Sequence, residues 1–162
     1  MNPRARTPRP PRREDSIFVT LLRTASLLSQ EADRLLKARG LSPEQYNVLR
    51  ILRGAGPEGC ACREIGERMI SRDPDMTRLL DRLERRGWVS RERGKNDRRV
   101  VHTRITAAGL EVLSALDKPI RELHKRQFQH MSAGQLKSLA RLLEEARTRV
   151  PEAHKRASNQ NS

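Results

Sequence analysis

Along most of the chain the apolar residues recur at three- and four-residue intervals, the spacing of one face of an α-helix. Between Ser16 and Gly40 the stripe is Ile17, Leu21, Leu28, Leu35 and Leu36, which predicts a long amphipathic helix ended by the glycine. The next segment, "LSPEQYNVLRILRG", opens on Ser42 with Pro43 at the first helical position and Gln45 three residues on. A capping box there predicts a second helix with Tyr46, Leu49 and Leu52 on its inner side. After the break "GAGPEG" and a short piece around Cys60, Ile65 and Met69 mark a third helix of about two turns. "SRDPDMTRLLDRLERRG" predicts a fourth, with Asp73 as cap, Pro74 in the first turn and Gly87 as terminator. Two short helices joined by a tight turn are a helix-turn-helix.

At Trp88 the period changes. "WVSRERGKNDRRVVHTRIT" reads as a strand, a turn at Gly94–Asp97 and a second strand carrying Val100, Val101, Thr103 and Ile105. A basic hairpin directly after a helix-turn-helix is a wing. Thr106 then caps a fifth helix, "AAGLEVLSALDKPIRELHKRQFQHM", which Pro119 should kink. A capping box of Ser132 and Gln135 opens a sixth, lined by Leu136, Leu139, Leu142 and Leu143. The expected fold is mainly α with a small β-wing: a winged helix-turn-helix with N- and C-terminal dimerisation helices. Those outer helices carry more apolar surface than a small winged core needs, which predicts a symmetric homodimer. Residues 1–14, rich in Pro and Arg, read as a disordered basic arm, residues 15–150 as the folded domain, and residues 151–162 as a flexible tail.

Charge sharpens this picture. The chain of 162 residues has 34 Lys+Arg against 20 Asp+Glu, a formal net charge of +14. The arm contributes +4 and the tail +1, so most of the excess belongs to the folded part, and residues 82–104 alone carry +6. Such a surface attracts a polyanion. Phe18, Tyr46, Trp88 and Phe128 are the only aromatics, too few for the stacking platforms of single-strand and RNA binders, so duplex DNA is the expected partner. No segment approaches a membrane span and no secretory leader precedes the first charges, so no membrane partner and a cytoplasmic location are expected.

On the fourth helix, at 100° per residue, Met76, Leu79, Leu80 and Leu83 share one side and Arg78, Asp81 and Arg85 the other, with Arg82 on the flank. For an isolated helix that polar row would be a solvated face; beside a basic wing it is a DNA-facing one. Candidate contacts are Thr77, Arg78, Arg82 and Arg85 on the helix and Lys95, Asp97, Arg98 and Arg99 at the wing tip. Asp75 is a candidate acceptor for cytosine N4. Cys60 and Cys62 are too close for an ordinary disulfide framework; they read as packing residues, with a reactive pair activated by Arg63 as the alternative. His102, His124, His130 and His154 form no ligand pattern, so no metal or other cofactor is expected, and no catalytic motif points to an enzyme.

These residues resemble the MarR family of transcriptional regulators. Its wing signature, D-x-R-x-x-x-x-x-[LI]-T-x-x-G, is matched by Asp97, Arg99, Ile105, Thr106 and Gly109. "LSPEQYNVLRIL" is similar to the family's second helix, and "DMTRLLDRLERRGWVSRER" to its recognition helix and first wing strand. The departure lies at the start of the recognition helix, where "RDPD" stands in place of small hydroxyl residues. The resemblance implies a homodimeric repressor on a pseudo-palindromic operator, with recognition helices in successive major grooves and wings reaching the flanking minor grooves or the backbone. It also implies a small aromatic or phenolic effector bound between the dimerisation helices and the winged region. The competing reading is an architectural protein that coats DNA without reading it.

Overall fold

The computed structural model describes residues 12–71, 75–93 and 101–148. Residues through Leu123 form one compact unit and those from His124 a second. In the first unit, α1 (Arg13–Lys37) begins three residues ahead of Ser16, with Glu14 and Asp15 in its first turn where the helix dipole favours acid. Gly40, at φ +69°, turns the chain. α2 (Pro43–Ala55) has the predicted capping box: Gln45 N–H donates to Ser42 Oγ at 3.2 Å and Ser42 N–H to Gln45 Oε1 at 3.0 Å. β1 (Cys60–Ala61), α3 (Cys62–Arg68) and α4 (Met76–Arg85) follow, then β2 (Val89–Arg93), β3 (Val101–Ile105) and α5 (Ala107–Phe128). α5 runs as one helix through Pro119.

The sheet is antiparallel in the order β1-β3-β2. β2 and β3 form the hairpin, with Val89 opposite Ile105 and Arg93 opposite Val101. The third strand, β1, was not expected. It pairs Cys60 with Thr103, and Gly59 permits the approach, because a Cβ there would lie 2.2 Å from the Thr103 carbonyl oxygen.

Helices and sheet close on one apolar cluster. Leu36, Val48, Leu49, Leu52, Ile65, Leu79, Leu80, Leu83, Val89, Leu113 and Leu116 are all buried in it. Each fully buried leucine contributes roughly 1.5–3 kcal/mol, so the phase of α4 is fixed by its three core leucines. α4 ends in a Schellman motif: Gly87, at φ +70°, donates to Glu84 O at 2.8 Å, and Trp88 N–H to Leu83 O at 3.1 Å. Thr106 then joins two helices. Its hydroxyl donates to Gly87 O at 2.6 Å and accepts from Gly109 N–H at 3.1 Å, while its own N–H donates to Trp88 O at 3.0 Å. Gly109 fits tightly there; a Cβ on it would meet the Trp88 carbonyl oxygen at 2.3 Å.

The second unit contains the last turn of α5 and α6 (Ala133–Thr148). The predicted capping box is present, with Ser132 N–H donating to Gln135 Oε1 at 2.8 Å and Gln135 N–H to Ser132 Oγ at 3.3 Å. No residue of α6 is buried, and Leu136, Leu142 and Leu143 are exposed.

Candidate nucleic-acid interface

α4 presents the charged face expected of it. Leu79, Leu80 and Leu83 are buried and Met76 packs on the core, whereas Thr77, Arg78, Arg82 and Arg85 are exposed. Arg78, Arg82 and Arg85 are spaced four and three residues apart and so lie within about 60° of one another on the helix surface. Arg82 Nε donates to Arg78 O at 3.2 Å and Arg85 Nε to Asp81 O at 3.4 Å, which lays both side chains along the helix. The wing-tip candidates Lys95, Asp97, Arg98 and Arg99 lie outside the described residues. At the base of the wing, Arg104 of β3 pairs with Glu92 of β2.

One expectation at the start of α4 is corrected. The cap is Asp75, which accepts from Arg78 N–H at 3.0 Å; Asp73 lies outside the described residues. Asp75 immediately precedes the first helical residue, which puts its carboxylate in reach of an otherwise unpaired helical N–H. Asp75 Oδ2 also pairs with Arg78 Nε at 3.0 Å. Asp75 is thus the helix cap, with one oxygen on the helix end and the other on Arg78.

The sequence reading missed Arg91. Its Nε donates to Glu84 Oε2 at 2.8 Å, and Nη2 donates to Asp81 Oδ1 and to Glu84 Oε2, each at 2.5 Å. The two carboxylates hold this guanidinium even more firmly in its charged form. The signal was available: Arg91 stands two residues after buried Val89 on a strand, hence on the same face, and a charge in that phase requires partners.

Behind α4 the winged unit is tied by further charge contacts. Arg53 of α2 grips Asp117 of α5 through paired bonds of 2.8 and 2.9 Å, which hold the Asp117 carboxyl below the usual carboxylate range. Arg86 donates to Gly40 O at 2.6 Å and lies over the Trp88 ring at 4.6 Å. Cys60 is buried in β1, and burial pushes its thiol up against the opposing effect of Arg68. Arg63, the suggested activator, pairs instead with Glu67 at 3.0 Å. Among the described residues no cluster of His, Cys, Asp or Glu could hold a metal, and no helix is long and apolar enough to cross a membrane.

Residues 41–101, from the start of α2 to the start of β3, match the family model described as "MarR family". The chain is 32% identical over 133 residues to the transcriptional repressor IacR of Pseudomonas putida, covering 82% of this chain and 78% of that one. Among solved structures it is similar to a MarR transcription factor from Planctomyces limnophilus, with 39% identity, a TM-score of 0.64, and 85% and 99% of the two chains covered. It is also similar to a mutant MarR from E. coli complexed with operator DNA, at 27% identity and a TM-score of 0.67, covering 80% of this chain and 95% of that one. With the winged fold, the arginine row and these likenesses in agreement, the chain belongs to the MarR family of DNA-binding transcription regulators.

Proposed function

We propose that the protein represses transcription as a homodimer on a pseudo-palindromic operator. In this reading α4 enters the major groove and the wing reaches the adjoining minor groove. The observation that carries the reading is the exposed row of Arg78, Arg82 and Arg85 on the second helix of a helix-turn-helix. Thr77 and these arginines contact bases and phosphates; Lys95, Arg98 and Arg99 serve the wing, with Asp97 orienting Arg99. A narrow A·T-rich minor groove concentrates negative potential and favours an inserted arginine.

The homodimer is supported by apolar surface that a single chain leaves uncovered. On α1, Ile17 and Phe18 are 66% and 62% exposed, with Leu21 and Leu22 beside them; on α6 the exposed residues are Leu136, Leu142 and Leu143. Repression is supported by the likeness to the Pseudomonas putida repressor. A small aromatic or phenolic effector completes the reading, relieving repression by changing the spacing of the two recognition helices.

Two-fold symmetry places the half-sites about 34 Å apart, one helical turn. Purified protein is mixed with fragmented DNA of its own genome at moderate salt with excess competitor, and the recovered fragments are sequenced. A few fragments sharing a two-fold motif are expected. Recovery of all sequences alike would replace operator reading with architectural coating, because a regulator favours its site by about 10³ or more.

A further inference from the structure

The carboxylates of α4 stand among its arginines. Asp81 is three residues from Arg78 and four from Arg85, so it occupies the same row, and Glu84 is on the adjoining flank. In a groove lined by phosphates such acids oppose binding, most strongly at low salt. Arg82 and Arg85 direct Nε to carbonyls of their own helix, whereas Arg91 reaches both acids from the neighbouring strand.

We propose that Arg91 is a positioning residue for DNA binding: from β2 its guanidinium draws Asp81 and Glu84 together and offsets their charge, so these two acids do not oppose the approach of the duplex to the arginine row. The geometry suits that role. One guanidinium makes three short bonds to two carboxylates on successive turns of α4, and the side chains stay accessible, at 27% for Arg91, 40% for Asp81 and 38% for Glu84. Ion pairs this open to water add little to folding stability, yet their charge is felt by a polyanion laid against the same helix. Arg91 thereby sets the sign of the potential along one side of α4 while making no contact with DNA itself. The inference rests on α4 being the DNA-facing helix.

The test uses the full chain, a mixed-sequence duplex of about 30 base pairs (three helical turns) and two potassium chloride concentrations. Arg91→Met should weaken binding about tenfold or more at roughly 50 mM salt, and the loss should shrink near 200 mM. Adding Asp81→Asn and Glu84→Gln to Arg91→Met should bring affinity back to within about threefold of the wild type, since no uncompensated acid remains. A brace that merely holds β2 to α4 would give a loss that ignores salt and is not rescued, and that result overturns the proposal, as does wild-type affinity in Arg91→Met. If Arg91→Met does not fold, the triple variant is compared with the Asp81→Asn/Glu84→Gln double. Equal affinities support the proposal, and a tenfold loss in the triple refutes it. A wild type that fails to bind the duplex overturns the DNA-binding reading and this inference together; a binding wild type with an unrescued triple overturns the inference alone.

Discussion

Replacing Gly109 by alanine sets two effects against each other. Helix propensity favours alanine over glycine by up to about 1 kcal/mol in a helix interior, so an open site would be stabilised. Gly109 is not open: the new Cβ would sit 2.3 Å from the Trp88 carbonyl oxygen and 2.8 Å from Ile105 Cγ1. A comfortable carbon–oxygen contact is about 3.3 Å, so α5 and the start of β2 must separate by about 1 Å. The atom in the way is backbone, and it accepts the Thr106 N–H at 3.0 Å, so the separation also stretches that bond. Overpacking costs about 1–3 kcal/mol and a lost hydrogen bond about 1 kcal/mol. The net expectation is a destabilisation of about 1–3 kcal/mol, or a fall in Tm of roughly 3–10 °C for a chain of this size. Urea unfolding followed by circular dichroism measures it, with Gly134→Ala in α6 as control, because a Cβ there meets nothing within 4 Å and should stabilise by a few tenths of a kcal/mol. A Gly109→Ala protein as stable as the wild type would refute the argument.

Thr103 is fully buried at the centre of the sheet and its hydroxyl finds no hydrogen-bond partner among the described residues, so Thr103→Val should raise stability by about 1 kcal/mol; a loss in urea unfolding would mean that the hydroxyl is satisfied. Asp117 is held below the usual carboxylate range by Arg53, so its contribution is present above the unfolded carboxyl pKa and lost as pH falls through the lowered folded value. The wild type should exceed Asp117→Asn by about 0.5–1 kcal/mol near neutral pH, a margin discounted for the openness of the pair, and the gap should close as pH falls below the ordinary carboxylate range; a gap that is flat with pH would deny the ion pair its role. Arg99→Ala should weaken duplex binding and flatten its salt dependence by roughly one counterion with the dimer intact by sedimentation, and unchanged affinity would remove the wing tip from the interface.

Features set by neighbours in sequence were legible. The capping boxes at Ser42 and Ser132 follow from one residue and another three positions on, and the core phase of α4 follows from leucine spacing. Features that depend on what the fold brings near were not. Asp73 and Asp75 are equivalent caps until one finds the Arg78 N–H, and β1 is two residues long, too short for alternation to register. Arg91 reads as one more basic residue of the wing until Asp81 and Glu84 arrive beneath it. The family signature also divides by cause: Ile105, Thr106 and Gly109 join β3 to α5 around the Trp88 carbonyl, so that half of the motif is construction.

The Thr106 junction has a consequence for the kind of operator the protein tolerates. One side chain links the end of α4 to the beginning of α5 with bonds of 2.6 and 3.1 Å, so the two helices are tied at that junction. In the proposed homodimer each α4 is thereby tied to its own α5, so a change in the spacing of the two recognition helices has to come from movement of whole winged units. Inserting one base pair between half-sites moves the far one about 3.4 Å along the duplex and about a tenth of a turn around it. On the proposed reading a duplex with that insertion should bind more weakly even when every contacted base is correct, which makes the interval between half-sites part of what is recognised.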